Sequence, residues 1–284
     1  MLESCTVEAC YFRPTQMTLF AFEKYEGLGN DFVVVDAASE SAVSAACARA
    51  WCDRRRGIGA DGVLLMLPAR ARGVLARMRV LNADGSVAEM CGNGLRCAAL
   101  HLARARSLER GTIEIETDAG VRDCRIERSG DDAMVEADMG VVRVGEDVVV
   151  TVDDVPIALS RVDTGNPHAV AFRPMGRAEF EALGPRLSAS REFPGGVNVE
   201  IAQIAEAGVI DVRVWERGAG ATLACGTGAC AVAAVARAKG MLEASAIRVR
   251  LPGGELIASY DRESGKTSLR GPARRVFSGT VPGA

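Results

Sequence analysis

The 284-residue chain is predicted to adopt an α+β fold with two pseudo-symmetric domains that arose by internal duplication. The first observation behind this prediction is a set of sequence blocks that recurs in one order. LGNDFVVVD around Gly29 returns as TGNPHAVAF around Gly165, 136 positions later, and CGNGLRCAALHLA from Cys91 returns as CGTGACAVAAVARA from Cys225, 134 positions later. A nearly constant period of this kind indicates two copies of a unit of about 130 residues.

Two more landmarks keep the same spacing. Asn82 ends the alternating run MRVLN, and Glu216 ends the run VRVWE, each nine positions before the cysteine of its copy. Gly62 in GIGADG corresponds to Asn198 in FPGGVNVE, again 136 positions later. Four landmarks in one order support a duplication more strongly than any single block does.

The second observation is that each copy has the same succession of predicted elements. Short apolar or alternating runs bounded by turn residues predict strands at 32–36, 77–81, 169–172 and 212–215. Alanine-rich runs predict helices at 95–105 and 229–239, and Gly240 is a suitable C-terminal cap for the second. Mixed strands with one long helix in each copy indicate a sheet that is more antiparallel than doubly wound.

Composition and charge exclude several classes of function. A formal net charge of −3 gives no basis for binding nucleic acid or an anionic membrane surface, and no apolar stretch is long enough to span a bilayer. A pyridoxal enzyme needs a lysine for its Schiff base, and Lys24, Lys239 and Lys266 all lack a site-like context. With only His101 and His168 and no CxxC pair, a zinc site is not expected. We therefore expect a protein that needs no cofactor and no metal.

The N-terminus and the cysteine count bear on location. The first sixteen residues lack the apolar run of a signal peptide, and we interpret residues 1–16 as a disordered extension or as the product of a wrongly assigned start before Met17. Nine cysteines, an odd number, give no disulfide framework. The expected location is therefore the cytoplasm, where thiols stay reduced.

Two of the cysteines stand in a context that suggests chemistry. Cys91 and Cys225 each lie in a glycine-rich loop directly before a predicted helix. The positive end of a helix dipole lowers the pKa of a thiol at that place, and the amides beside the flanking glycines suit a carboxylate. A buried structural cysteine is a common alternative for one such loop. Two copies in matching positions favour a site in which both sulfurs flank one cleft.

That arrangement suits inversion of the α-carbon of an amino acid. One thiolate removes the α-proton from one face, while the opposite thiol delivers a proton to the other face. Helix-terminal amides on both sides stabilise the negative charge that spreads into the α-carboxylate. The residues leave two alternatives open, namely a hydrolase or transferase that uses Cys91 with His168, and a redox protein with a Cys91–Cys225 disulfide.

Several blocks carry a resemblance to a known family: GLGNDFVVVD, GIGADG, NADGS, MCGNGLRCAA, DTGNPH, FPGGVNVE, VWERGAG and ACGTGACA. In content and order they resemble the signature blocks of diaminopimelate epimerase, from about Phe20 to the C-terminus. The resemblance implies two domains, each a curved, mostly antiparallel sheet around a long central helix, with the active site between them. It implies an isomerase, free of pyridoxal phosphate, that converts L,L- to meso-diaminopimelate for lysine and peptidoglycan synthesis. Another two-cysteine racemase, of the histidine or proline type, is the alternative.

The resemblance also implies a division of the chain and a set of site residues. Residues 17–135 with 271–284 would form the N-terminal domain and 136–270 the C-terminal domain, and a homodimer is a further implication. Cys91 and Cys225 would be the two acid/base residues. The reacting carboxylate would be bound by Gly92, Asn93, Gly226 and Thr227. The rest of the amino acid would be bound by Asn30, Asn82, Asn166, Asn198, Glu216 and Arg217. His168 and Glu216 would set the protonation of the cysteines.

Some of these residues also have a structural interpretation. Asparagine tolerates positive φ in turns, so Asn30 and Asn82 are alternatively loop-shaping residues, and His168 is alternatively a core histidine with satisfied hydrogen bonds. Cys97 and Cys230 lie six and five residues after the two key cysteines. At 3.6 residues per turn, these offsets place them on other helix faces, where we expect packed small residues.

Three positions depart from the family pattern. Gly62 stands where some members have glutamine, Val87 replaces an acid after NADGS, and Ala221 replaces a glutamate before the second cysteine. None of the three changes removes a catalytic group. Arg217 is retained, and its guanidinium suits bidentate capture of a carboxylate. The substrate is therefore expected to carry a second carboxylate.

Overall fold

A computed structural model describes residues 18–88 and 90–283, so the expected extension over residues 1–16 lies outside the described residues. The strands of the first half are β1 (Leu19–Gly27), β2 (Asn30–Asp36), β3 (Gly62–Leu67), β4 (Ala76–Asn82), β5 (Val87–Ala88), β6 (Arg110–Thr117), β7 (Gly120–Ser129) and β8 (Asp132–Val141). Those of the second half are β9 (Arg143–Val152), β10 (Val155–Asp163), β11 (Pro167–Phe172), β12 (Asn198–Glu206), β13 (Val209–Glu216), β14 (Gly220–Thr222), β15 (Ala246–Leu251), β16 (Gly254–Tyr260) and β17 (Lys266–Pro282). The helices are α1 (Ala45–Cys52), α2 (Gly92–Ala105), α3 (Arg177–Ser188) and α4 (Gly226–Ala238). None of the helices in this described part combines the length and the apolar character that crossing a membrane requires.

The two halves repeat one order of strand pairing. In the first half β2–β3 and β4–β6 are parallel, whereas β3–β4, β6–β7 and β7–β8 are antiparallel. In the second half β11–β12 and β13–β15 are parallel, whereas β12–β13, β15–β16 and β16–β17 are antiparallel. The register repeats as well, since Phe32 pairs with Gly62 and His168 pairs with Asn198. The predicted duplication and the mostly antiparallel sheet are thus confirmed.

Each half closes its sheet around one buried helix. β1 pairs with β2 and β17, and β17 pairs with β8, so that the strands of the first half surround α2. In the second half β9 pairs with β10 and β10 with β11, and the strands surround α4 in the same way. Both helices fit inside because small side chains face the sheets, among them Ala98, Ala99, Ala231 and Ala234, all fully buried. The predicted α+β class, with a curved sheet around a central helix in each half, is confirmed.

Both central helices begin three residues earlier than the alanine-rich runs predicted. α2 begins at Gly92 rather than 95 and α4 at Gly226 rather than 229, because a cysteine in extended backbone conformation caps each first turn. The glycines that read as loop residues are therefore helical. Gly240, with a φ of 66°, stands just past the end of α4 as expected.

The expected domain boundaries near residues 135 and 271 lie side by side in the structure. Val135 in β8 pairs with Gly271 in β17. Both strands continue through these positions without a break. The chain thus crosses between its halves along two hydrogen-bonded strands rather than through loops. The division into 17–135 with 271–284, and 136–270, stays a prediction.

A partly buried polar cluster joins the C-terminal half of α2 to the surrounding strands. His101 Nδ1 lies 3.1 Å from Glu23 Oε2 and 3.3 Å from Tyr25 Oη, and His101 Nε2 lies 3.2 Å from Asp36 Oδ1. Arg104 Nη1 donates to both carboxylate oxygens of Glu23, at 2.9 and 3.0 Å. Burial disfavours the charged imidazolium, but the hydrogen bonds to Asp36 and Glu23 outweigh burial and raise the pKa of His101.

The raised pKa of His101 predicts a pH-dependent stability. A histidine whose pKa is higher in the folded state contributes fully below its unfolded pKa of about 6.5, and its contribution is lost as the pH rises through the folded pKa. We expect His101→Gln to lower the free energy of unfolding more at about pH 5.5 than at about pH 8.5. Urea unfolding of both proteins at the two pH values measures this difference. An equal loss at both values, or a larger loss at the higher pH, would contradict the prediction.

Candidate active site

The N-termini of the two central helices meet at a pair of glycines. A Cβ atom placed on Gly92 would lie 3.6 Å from the Cα of Gly226, and one placed on Gly226 would lie 3.4 Å from the Cα of Gly92. The side-chain amide of Asn93 in α2 also donates to the carbonyl of Ala224, just before α4, at 3.2 Å. Both distances correspond to van der Waals contact, so the first turns of the two helices touch at these glycines. The structure thereby brings the predicted carboxylate-binding segments of the two halves together.

The two cysteines occupy equivalent positions at this meeting point. Cys91 caps α2, and its Sγ accepts a hydrogen bond from the Gly94 amide at 3.3 Å. Cys225 caps α4, and its Sγ accepts from the Gly228 amide at 3.4 Å and contacts Thr227 Oγ1 at 3.4 Å. Cys91 is partly exposed, whereas Cys225 is buried. Two sulfurs in matching geometry at apposed helix ends are suited to act from opposite sides of one ligand.

The ionisation of the two thiols differs from what the helix dipole alone predicted. Burial raises the pKa of Cys91 to about 11 and raises that of Cys225 well above its ordinary value. The amides of Gly94 and Gly228 act in the opposite direction and are outweighed. The expectation that these pKa values are lowered is therefore wrong for the free site, because the loss of hydration exceeds the effect of the helix end.

Glu216 is electrostatically coupled to both cysteines and raises the pKa of each. Burial also raises the pKa of Glu216 itself, against a hydrogen bond that Thr222 Oγ1 donates to its Oε1 at 2.5 Å. A carboxyl group with a raised pKa close to two thiols is well placed to influence which of them is ionised. Glu216 therefore lies within electrostatic reach of both sulfurs.

His168 forms a buried pair with an acid that the sequence reasoning missed. His168 Nδ1 lies 2.7 Å from Glu200 Oε1, and both side chains are fully buried. His168 Nε2 lies 3.1 Å from Asn166 Oδ1, so the ring contacts two oxygen acceptors rather than a cysteine. Glu200 Oε2 has no hydrogen-bond partner among the described residues, and Glu200 is one of the groups that raise the pKa of Cys225. The only sequence signal was a lone acid in the apolar run VNVEIA.

Asn30 belongs to a polar network that reaches the start of α2. Asn93 Nδ2 donates to Asn30 Oδ1 at 3.1 Å, and Asn30 Nδ2 donates to Asp61 Oδ2 at 2.8 Å. Arg54 joins Asp61 to Asp31 through hydrogen bonds of 2.7 Å from its Nη2 to each. Asn30 therefore orients Asn93 as well as shaping its own turn. Asp61 was not predicted, because its position in GIGADG does not reveal this contact.

Asn198 fixes the backbone next to Glu216. Its Oδ1 accepts from the amide of Arg217 at 2.8 Å, and its Nδ2 donates to the carbonyl of Pro167 at 3.2 Å. Arg217 is exposed, and its Nη1 donates to the carbonyl of Gly195 at 3.3 Å. No carboxylate among residues 18–88 and 90–283 forms an ion pair with this guanidinium, so it is available to an acidic ligand.

Asn82 and the three departures from the family pattern show more local contacts. Asn82 Nδ2 donates to Ser86 Oγ at 2.9 Å within its own turn, in keeping with a loop-shaping residue. A Cβ on Gly62 would lie 2.8 Å from the Leu81 carbonyl, so this backbone does not accommodate the glutamine that some relatives carry. Val87 and Ala221 are exposed. Among the other cysteines, Cys97 and Cys230 are fully buried, as predicted.

Comparisons with solved structures bear on the fold. A hydroxyproline epimerase from Agrobacterium vitis has a TM-score of 0.73 at 16% identity, over 93% of this chain and 92% of that chain. A probable proline racemase from Agrobacterium radiobacter has a TM-score of 0.69 at 19% identity, over 93% of each chain. At these identities the likeness establishes the two-domain fold and nothing about the substrate.

Comparisons of sequence are more specific. The family model of diaminopimelate epimerase matches residues 22–145 and 160–276. A diaminopimelate epimerase of Desulforudis audaxviator is 42% identical over 276 residues, which cover 91% of this chain and 98% of the relative. One of Thermosynechococcus vestitus is 39% identical over 287 residues, covering 92% and 99%. The chain therefore belongs to the diaminopimelate epimerase family.

Proposed function

We propose that this protein interconverts L,L- and meso-diaminopimelate without a cofactor, by a two-base mechanism in which Cys91 and Cys225 act on opposite faces of the α-carbon. The observation that carries the mechanism is the apposition of two cysteine-capped helix N-termini at Gly92 and Gly226. One sulfur accepts the α-proton while the other donates its own proton to the opposite face. The reverse reaction exchanges the two roles.

The proposed carboxylate site is made by the first turns of α2 and α4. Backbone amides at a helix N-terminus point outward and favour negative charge. The side-chain amide of Asn93 already donates to Asn30 and to the Ala224 carbonyl, so we assign the main donors to the backbone of the two helices. These donors stabilise the charge that develops on the α-carboxylate as the α-proton leaves. Thr227 Oγ1, 3.4 Å from Cys225 Sγ, borders the same region.

The raised pKa values of the two thiols fit the difficulty of the reaction. A sulfur with a raised pKa is a stronger base once it is ionised, and an α-proton of an amino acid is weakly acidic. Exclusion of water also strengthens the electrostatic stabilisation of the carbanion. The energetic cost is that the thiolate is a minor species at neutral pH, since the pKa of Cys91 is about 11.

We assign the distal end of the substrate to Arg217, with Asn166 and Asn198 positioning the surrounding backbone. Replacement of Arg217 by glutamine is expected to lower kcat/KM for diaminopimelate about 10- to 100-fold, the effect of losing a charged hydrogen bond of about 1.5–3 kcal/mol. Most of the loss should appear in KM, because the distal carboxylate is bound equally before and during the proton transfer. Initial rates over a range of substrate concentrations separate the two parameters. An unchanged KM with a much lower kcat would remove Arg217 from the distal site.

The main alternative is a two-cysteine racemase for another amino acid. Purified, reduced protein should therefore be incubated separately with L,L-diaminopimelate, proline and histidine, and the stereoisomers separated by chiral chromatography. The proposal expects conversion of L,L-diaminopimelate to the meso isomer and none of the other two. Racemisation of proline or histidine instead would keep the chemistry and overturn the substrate.

Further expectations from the sequence stand as proposals beside the activity. We propose a cytoplasmic enzyme that acts in lysine and peptidoglycan precursor synthesis, with the two domains divided near residues 135 and 271. We also propose a homodimer, as the family resemblance implied. Size-exclusion chromatography with light scattering tests the oligomeric state, and a monomeric mass at micromolar concentration would exclude a stable dimer.

A further inference from the structure

Arg96 in α2 carries a buried positive charge that no acid of the described chain neutralises. Its side chain is 0% exposed. Its Nε donates to the Pro272 carbonyl at 3.1 Å, its Nη1 to the Gly92 carbonyl at 3.4 Å and its Nη2 to Asn93 Oδ1 at 2.9 Å. All three acceptors are uncharged, and no carboxylate of residues 18–88 and 90–283 forms an ion pair with it. A buried charge without a counter-ion is costly, so its presence requires an explanation.

The strands around Arg96 leave a slot of the right width for its guanidinium. A Cβ on Gly27 in β1 would lie 3.2 Å from Arg96 Nη2, and a Cβ on Gly271 in β17 would lie 3.2 Å from Arg96 Nε. Both contacts are tighter than most Cβ contacts in proteins, and at Gly271 a Cβ would in addition clash with Leu256. The slot holds the charge at the base of the first turn of α2, the turn that Cys91 caps.

The corresponding place in the second half of the chain has the opposite character. Under the 134-residue repeat Arg96 corresponds to Cys230, which is uncharged at neutral pH because burial raises its pKa to about 12. A Cβ on Gly94 would meet Leu64 at 3.1 Å, whereas a Cβ on the equivalent Gly228 would meet Glu200 Oε1 at 2.7 Å. One helix start therefore has a cation and an apolar side chain beside it, and the other has a carboxylate.

The two sulfurs therefore have different charged neighbours: a cation and one acid act on Cys91, and two acids act on Cys225. At Cys91, burial and Glu216 raise the pKa of the thiol, and Arg96 lowers it. At Cys225, burial, Glu216 and Glu200 all raise the pKa of the thiol, and hydrogen bonds from Thr227 and Gly228 lower it. Burial lowers the pKa of Arg96, and Cys97, Cys91, Cys230 and Glu26 act in the opposite direction. Of these, Cys97 and Cys230 are fully buried in the helix interior.

We infer that Arg96 is a positioning residue that makes Cys91, rather than Cys225, the cysteine that ionises more readily in the free enzyme. The inference rests on the proposed two-cysteine mechanism and adds to it which sulfur is ready to accept a proton. In a turnover that starts from this state, with Cys91 ionised, Cys91 accepts the α-proton of the substrate and Cys225 donates its own proton to the opposite face of the α-carbon. When the product dissociates, Cys91 is a thiol and Cys225 is a thiolate. Exchange of one proton with solvent at each sulfur returns the enzyme to the state that Arg96 favours.

Alkylation of the two cysteines by iodoacetamide, a neutral reagent, tests this inference without any substrate. The rate at each cysteine is measured between about pH 7 and pH 9.5 by mass spectrometry of the digested protein, because only the thiolate reacts. Arg96→Met removes the charge at similar volume. A tenfold smaller thiolate population, partly offset by higher nucleophilicity, should slow alkylation of Cys91 about threefold or more. Alkylation of Cys225 should change by less than about twofold, because the acids beside it remain in place.

Two further variants make the test specific. Arg96→Lys keeps the charge and should retain most of the wild-type rate at Cys91. Arg104→Met removes an arginine from the other end of α2, where its partner is Glu23, and should leave the rate at Cys91 unchanged. A folded Arg96→Met protein with an unchanged rate at Cys91, or with an equal loss at Cys225, would overturn the inference.

A comparison that leaves Arg96 in place covers the case in which Arg96→Met does not fold. Cys225→Ser and Cys91→Ser each leave one of the two thiols, and their alkylation profiles, extended to about pH 11.5, give the pH at which each ionises. The inference expects the lower value for Cys91, and a lower value for Cys225 would overturn it. Because no turnover is needed, these results stand apart from the substrate assignment. Absence of epimerase activity would not alter them, and failure of the Arg96 effect would leave the epimerase proposal intact.

Discussion

Replacement of either Cys91 or Cys225 by alanine is expected to lower kcat for diaminopimelate epimerisation about 10²- to 10⁴-fold. Each sulfur serves one face of the α-carbon, so the remaining cysteine cannot take over the missing role. The two losses should also be similar, since one turnover needs both an acceptor and a donor of protons. Initial rates with saturating L,L-diaminopimelate measure the effect.

The matched controls lie on the same two helices. Cys97→Ala in α2 and Cys230→Ala in α4 also remove a buried thiol, and they should keep kcat within about tenfold of wild type because they lie outside the proton-transfer path. Circular dichroism and unfolding curves confirm that each variant is folded. A Cys91→Ala or Cys225→Ala protein that retains more than about a tenth of the wild-type kcat would sink the two-base mechanism.

Replacement of Glu200 by alanine is expected to produce the largest loss of stability among the site residues. It leaves His168 fully buried without the carboxylate that now lies 2.7 Å from its Nδ1. Leaving a buried polar group without its hydrogen-bond partner costs about 1–3 kcal/mol, and the cavity left by the removed side chain adds to this loss. Glu200→Gln keeps a hydrogen-bond acceptor and should cost less, about 1–2 kcal/mol. Urea unfolding at neutral pH gives the free energy for each protein.

An acid on the same strand serves as the control for Glu200. Glu206 is exposed at the other end of β12, and its replacement by alanine should change the free energy of unfolding by less than about 0.5 kcal/mol. A Glu200→Ala protein that is within about 1 kcal/mol of wild type would show that the buried pair contributes little. Epimerase activity of Glu200→Gln then tells whether the charge beside Cys225 matters to turnover separately from stability.

The duplication and the position of the cysteines could be predicted because they are properties of the linear sequence. A repeat of 136 and 134 positions is visible without any contact information, and a glycine-flanked cysteine before an alanine-rich run marks a helix start by local geometry alone. The helix boundaries were three residues off at Gly92 and Gly226, because these glycines continue the helix that the cysteines cap. Local pattern therefore defined the elements but not their first turns.

The electrostatics of the site could not be predicted, because they depend on burial. The dipole argument for a lowered thiol pKa is correct in sign for the Gly94 and Gly228 amides, yet burial outweighs it at both cysteines. Glu200 and Arg96 were missed for the same reason. Each is a lone charge in an apolar run, and only packing reveals that Glu200 lies against Gly228 and Arg96 in a slot beside Gly27. A single sequence gives no indication of either contact.

The two halves also show how one scaffold carries two different electrostatic environments. Strand pairing and helix capping repeat almost without change, whereas Phe32 and Leu64 of the first half are replaced by His168 and Glu200 in the second. A racemisation site needs two acid/base groups in mirror positions. It does not need them to have equal affinity for a proton, since one must be ionised while the other is not.

The most direct test of the two-base account is turnover of L,L-diaminopimelate in D₂O, followed from its first per cent by NMR and mass spectrometry. The account predicts that the meso product carries one deuterium at the inverted α-carbon, while the remaining L,L-substrate is still unlabelled, because the proton that is removed and the deuteron that is added reside on different sulfurs. Deuterium that enters the remaining substrate as fast as it enters the product would contradict it, because a single base would then serve both faces.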